Sequence, residues 1–299
     1  MINGIINVYK EQGFTSHDVV AKLRGILKQK KIGHTGTLDP DAVGVLPVCL
    51  GKGTKLCDLL TDKDKTYEAV LLLGVNTDTQ DTSGTVLEEF DVTVTKEEVE
   101  AAILSFVGDY EQVPPMYSAL KVNGKKLYEL AREGIEVERK ARLVQILDIE
   151  IKDINLANRE VTMVVSCSKG TYIRTLCYDI GKKLGCGGTM KQLTRTKVSQ
   201  FQIEDSLTLN QIQELVRQEK MDEHVILVDD MFPNMTKVYI KEEKCKYIWN
   251  GNSFYQNHIE RIEGQSLTTY VRVYDCNQEF VGLYEEKSNN EYKPYKMFR

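Results

Sequence analysis

The chain has 299 residues, 41% hydrophobic and 28% charged, with a formal charge of -5; that is enough to bury a core in one large domain plus a small one, and two unequal domains are expected. No stretch reaches the roughly eighteen uninterrupted apolar residues of a membrane span, and the opening MINGIINVYK, interrupted by Lys10, does not read as an export signal. Seven cysteines with no C-x-x-C pair and four histidines without ligand spacing fit neither a disulfide frame nor a zinc site, and they place the chain in a reducing compartment, the cytoplasm.

In chain order, SHDVVAKLRGIL predicts a helix with Ser16 as N-cap and an apolar face of Val19, Val20, Leu23, Ile26 and Leu27. It leads into GHTGTLDPDAVGVLP at 33–47, a loop crowded with glycine, proline and aspartate. TYEAVLLLG reads as a buried strand. TKEEVEAAILSFVG carries a capping box, Thr95 with Glu98, a stripe of Val99, Ala102, Ile103, Phe106 and Val107, and a closing Gly108. RLVQILDIEI alternates Leu143, Leu147, Ile149 and Ile151 against polar neighbours as a half-exposed strand, and EVTMVVSC is a second buried one. Thr208 with Gln211 caps another helix, Pro233-Asn234 marks a junction, and TYVRVYD and EFVGLY form a hairpin across a CNQ turn in a small terminal domain. Strands and helices do not alternate strictly, so the expected class is α+β, with a mixed, largely antiparallel central sheet, flanking helices and a small β-rich C-terminal domain.

The net charge alone argues against a nucleic-acid partner, but its distribution argues for one. Residues 200–299 hold 12 Lys+Arg against 17 Asp+Glu, the whole deficit, while residues 1–199 balance at 27 of each. Within that neutral part, Lys22, Arg24, Lys28, Lys30 and Lys31 form one acid-free basic run, and Lys182, Lys183, Lys191, Arg195 and Lys197 another; both suit phosphate contact. In the loop, Pro40 excludes helical geometry for Asp39, and Gly33, Gly36 and Gly44 permit turns and close approach. Taken by itself, Asp39 reads as a turn-capping carboxylate. Asp78 and Asp81 in TDTQDTSG read either as turn caps or as a carboxylate pair able to hold magnesium.

GHTGTLDPDAVGVLPVCLG, KTYEAVLLLGVNTDTQDTSG, QVPPMYSALKVNGKKLYELAREG and CSKGTYIRTLCYDIG, in that order, resemble the motifs of the TruB family of tRNA pseudouridine synthases. Where the family usually has Lys-Pro near the N-terminus, this chain has Lys10-Glu11. The resemblance implies a pseudouridine synthase domain over 1–233 and a PUA-like RNA-binding domain over 234–299. The implied reaction is isomerisation of uridine 55 in the tRNA T-loop from an N1-linked to a C5-linked nucleoside. It implies Asp39 as the catalytic carboxylate, Arg174 as the cation that keeps it ionised, and Tyr67 as a base-stacking and proton-transfer residue. Tyr172 and Leu193 line the pocket, His34 fills the gap left by the flipped base, and an insertion over about 110–142 closes over RNA. Substrate contacts are expected at Lys65, Lys121, Lys125 and Lys126. The implied partner is tRNA, and the chain is expected to act as a monomer without cofactor, metal, membrane or protein partner. Two other classes fit parts of the sequence. An RNA-binding protein explains the basic runs but leaves Asp39 idle, and a glycoside hydrolase built on Asp39 and Asp41 needs both carboxylates to flank one bond, whereas side-chain alternation on an extended strand is expected to keep the two from doing so.

Overall fold

The computed structural model describes residues 1–264, 269–287 and 290–299. Nine strands form the central sheet: β1 (Gly4–Lys10), β2 (Ile32–His34), β3 (Val43–Leu50), β4 (Lys65–Leu73), β5 (Gly108–Gln112), β6 (Arg142–Asn155), β7 (Glu160–Cys167), β8 (Gly188–Val198) and β9 (Phe201–Gln202). Their order is β1-β3-β8-β4-β7-β6-β5, with β2 on β3 and β9 on β8. Every pairing is antiparallel except β3 with β8. The α+β expectation with a mixed, largely antiparallel sheet is therefore met.

Helices α1 (Ser16–Ile26), α2 (Lys96–Leu104), α3 (Leu127–Arg132), α4 (Ile173–Leu184) and α5 (Leu209–Arg217) flank it. The main core, including Ala69, Leu71, Val99, Ile103, Met163 and Leu176, lies between the sheet and α2 and α4. A second core packs α1 and α5 on β1 and β3 through Val19, Leu23, Ile6, Val48 and Ile212; each such side chain contributes roughly 1.5–3 kcal/mol on burial. A six-stranded C-terminal sheet includes the hairpin Tyr270–Tyr274 with Phe280–Glu286, as the spacing predicts. Its Leu283 and Phe298 join Ile5, Val45 and Phe201 in one apolar cluster, so the two sheets share buried surface.

The capping boxes at Thr95–Glu98 and Thr208–Gln211 form as expected. Three local expectations do not hold. The N-cap of α1 is Thr15, boxed with Asp18, and the Ser16 hydroxyl instead accepts from Leu38 N at 2.9 Å. Helix α2 stops at Leu104, so Phe106 and Val107 lie beyond it and Gly108 opens β5 rather than closing the helix. In β6 a bulge at Leu147 shifts the register; Val144, Ile146 and Ile149 point inward, while Leu143 and Leu147 face solvent. An extra residue on one strand reverses the face that simple alternation assigns.

Candidate active site

The parallel pairing of β3 with β8 sets Gly44 against Arg195. Gly44 has φ +106°, and a Cβ there would lie 2.3 Å from Arg195 O; only glycine permits this approach. The loop running from Gly36 to Gly44 is held from three sides. Lys10 Nζ donates to Pro40 O at 3.0 Å and Glu11 O at 3.2 Å, and Gly13 N donates to Pro40 O at 2.9 Å. Ser16 holds Leu38. From below, Arg195 Nε donates to Val45 O at 2.7 Å and Nη1 to Thr37 O at 3.4 Å. In this chain, with Lys10-Glu11 at that place in the motif, the lysine secures the loop. Residues 39–42 close a turn through Ala42 N on Asp39 O at 3.1 Å rather than running on as a strand, so the two loop aspartates are not related by strand alternation.

That turn presents Asp39 to Arg174 from the first turn of α4. Arg174 Nε lies 3.0 Å from Asp39 Oδ2, and Nη2 lies 3.5 Å from Oδ1. The same guanidinium donates to Thr79 O at 3.0 Å and Tyr117 O at 2.8 Å, and its Nη1 is 3.5 Å from Asp81 Oδ2. Arg174 is buried, whereas the Asp39 side chain is 41% exposed: a fixed cation under an accessible carboxylate. The start of α4 is itself gripped, since Gln112 accepts from Tyr172 N and donates to Tyr172 O.

Asp39 has a pKa above the ordinary carboxylate value. Burial is the largest cause, Arg174 opposes it, and the negative charges of Asp81 and Asp41 add to it. Arg174 thus counters the cost of burying the carboxylate, while desolvation in the cleft outweighs the pairing and leaves the pKa raised. Tyr67 sits on β4 opposite Arg195 of β8 and is nearly buried. Burial raises its phenol pKa, with the Arg195 charge working the other way. Tyr172 is half-buried, and Leu193 packs partly buried on the main core. His34 ends β2 half-buried, its Nδ1 within 3.1 Å of Gly36 O, and burial holds its pKa below the usual histidine value.

The predicted contact residues divide. Lys121 and Lys125 are exposed in a short hairpin over 121–126; Lys125 pairs with Glu133 at 3.4 Å, and Lys126 donates to the Tyr128 hydroxyl at 3.2 Å. The segment carrying them reaches the site through the Tyr117 carbonyl on Arg174. Its short helix α3 packs inward through Leu127 and Leu130. Lys65, by contrast, is buried and donates to the carbonyls of Thr61 at 2.6 Å and Lys63 at 2.5 Å, its pKa lowered by burial to about 8; its ammonium is committed inside the protein. The second basic run is also smaller than its sequence suggests. Arg195 is 1% exposed, and Lys191 pairs with Glu160 at 2.5 Å. Asp78 and Asp81 do cap their turn, accepting from Thr85 N and Ser83 N. Among the described residues, no cluster of three or more His, Cys, Asp or Glu could hold a metal ion. Asp81 on Arg174, Lys10 on the loop and Arg195 beneath it are contacts of the candidate site that sequence reasoning missed.

Residues 24–173 match the family described as TruB family pseudouridylate synthase (N terminal domain), and 174–236 match the tRNA pseudouridylate synthase B C-terminal domain. The chain belongs to the TruB family. The tRNA pseudouridine synthase B of Lachnoclostridium phytofermentans is 55% identical, with 99% of this chain and 100% of that protein covered. The protein of the same name from Bacillus cytotoxicus is 42% identical over 99% and 97%. Among solved structures, a Cbf5-Nop10-Gar1 complex contains a chain 26% identical, with a TM-score of 0.73 and coverage of 99% of this chain and 85% of that one. A chain of an H/ACA RNP bound to a substrate RNA containing 2'-deoxyuridine shares the TruB-family fold at TM-score 0.72 and 24% identity, covering 99% and 85%. Among the described residues, no helix is long and apolar enough to cross a membrane.

Proposed function

We propose that this TruB-family chain isomerises uridine to pseudouridine at position 55 of the tRNA T-loop, in the cleft where Asp39 meets Arg174. The observation that carries this reading is the 3.0 Å contact between buried Arg174 and accessible Asp39. Breaking a glycosidic bond without losing the sugar to water requires a carboxylate beside the ribose, fixed in place and ionised. Asp39 either attacks C1′ or removes the 2′ proton, and both routes need its anion. An RNA-binding protein without chemistry has no use for that pair.

The target base must leave its stack, at a cost of a few kcal/mol, and His34, at the rim of the loop, fills the vacated place. The detached uracil turns against the Tyr67 ring, with Tyr172 and Leu193 as further walls. Lys121, Lys125 and Lys126 contact phosphates from the 110–142 segment, which closes over the T-loop. Isomerisation leaves the composition of the nucleoside unchanged, the C5 hydrogen passing to water as N1 takes up a proton, so the reaction calls for no cofactor. We assign residues 1–233 to catalysis and 234–299 to a PUA-like RNA-binding role, and the chain acts alone on tRNA in the cytoplasm.

Tritium release from a tRNA transcript carrying 5-tritiated uridine tests this reading. The wild-type chain releases the label from position 55, and Asp39→Asn does not. Release by the Asn variant, or none from wild type, refutes the assignment.

A further inference from the structure

Arg195 lies in a basic run yet is 1% exposed, and both its hydrogen-bond partners are carbonyls, Val45 O and Thr37 O, rather than carboxylates. Among the described residues its Nη2 is buried with no hydrogen-bond partner. A buried guanidinium without a counter-charge and with an unsatisfied donor is costly, so a fold that keeps one invites a functional reason.

Two features locate that reason. The carbonyls it holds flank Asp39, Thr37 before it and Val45 after it, so one rigid fork spans the base of the loop. Arg195 also stands directly opposite Tyr67 on the antiparallel β4–β8 pair, which sends both side chains off the same face of the sheet. Gly36, at the entrance of the loop, has space for a Cβ only 3.8 Å from Arg195 Nη1, so the guanidinium underlies the loop directly.

We propose that Arg195 is a positioning residue for the isomerisation: anchored by the carbonyls at the two ends of the Asp39 loop, it offers its remaining donor edge to the Tyr67 phenol oxygen, leaving the phenol proton to face the substrate. This rests on the cleft being the site of isomerisation. A phenol that accepts from a cation is a stronger hydrogen-bond donor. As the glycosidic bond breaks, negative charge grows on the uracil, and a donor fixed in a dry pocket lowers the energy of that state.

A double-mutant cycle tests it, with single-turnover pseudouridine formation and tRNA affinity measured on the full chain for Arg195→Gln, Tyr67→Phe and the pair. The expected result is a loss of about 10²-fold in rate for Arg195→Gln when Tyr67 is present, a loss of only a few-fold in the Phe background, and unchanged affinity. Arg195→Lys, which keeps the charge but not the fork, falls between wild type and Gln, and it carries the same cycle if the Gln variant does not fold. Equal losses in both backgrounds, or a loss that appears as weaker tRNA binding, overturn the proposal. A wild-type chain that forms no pseudouridine defeats the functional reading instead.

Discussion

Replacing Arg174 with lysine keeps the charge and removes the fork, which makes it a sharp test of the site. The guanidinium makes five contacts, two with Asp39 and one each with Asp81, Thr79 O and Tyr117 O. An ammonium has three donors on a single point, so at least two of these are lost, and they cannot all lie on the Asp81 side without releasing Asp39. A hydrogen bond to a charged group is worth about 1.5–3 kcal/mol; losing one from the carboxylate proposed to be aimed at the ribose predicts a fall of about 10- to 10²-fold in single-turnover rate. tRNA affinity should change little, because Arg174 lies beneath the cleft. The pH profile gives a second reading. Arg174 is the main influence lowering the Asp39 pKa against burial. Drawing the cation back therefore raises that pKa further, less of Asp39 is ionised at a given pH, and the acid limb of the rate moves to higher pH. The Asp39 side chain is 41% exposed, so water screens the lost charge and the shift stays within about one pH unit. A limb that moves to lower pH, an unchanged rate, or a defect confined to tRNA binding would each refute the reasoning.

Other predictions use different parts of the structure. His34→Ala should slow folded tRNA more than a short flexible RNA, because only the folded loop leaves a gap to fill; equal losses in single-turnover assays would remove the wedge role. Gly44→Ala should destabilise the fold by more than about 1 kcal/mol in urea titrations, since it combines positive φ with a contact on the Arg195 backbone; an unchanged midpoint would contradict it. Amides of residues 113–141 should gain hydrogen-exchange protection when tRNA binds, and a segment indifferent to RNA would not be a lid.

The parts legible in the sequence are those decided within a few residues or by a motif. Thr95 with Glu98 and Thr208 with Gln211 lie three apart, so their capping boxes form wherever the helices pack. Thr15 was readable in the same way, because Asp18 stands three beyond it whereas Val19 stands three beyond Ser16; the box belongs one residue earlier and frees Ser16 for Leu38. The Leu147 bulge was not readable, since an extra residue is defined only against the partner strand. Nor was the second role of Asp81, whose turn-capping is local while its arginine arrives from a distant helix. Arg195 falls between these cases. Its basic neighbours point to a solvated run, yet it stands two residues beyond Leu193, and period-two geometry puts those side chains on one face. The register agrees, with Leu193 opposite Ala69 and Arg195 opposite Tyr67. Once Leu193 is read as facing inward, strand geometry alone sends Arg195 inward beside Tyr67, so a charge that composition assigns to the surface belongs under the Asp39 loop.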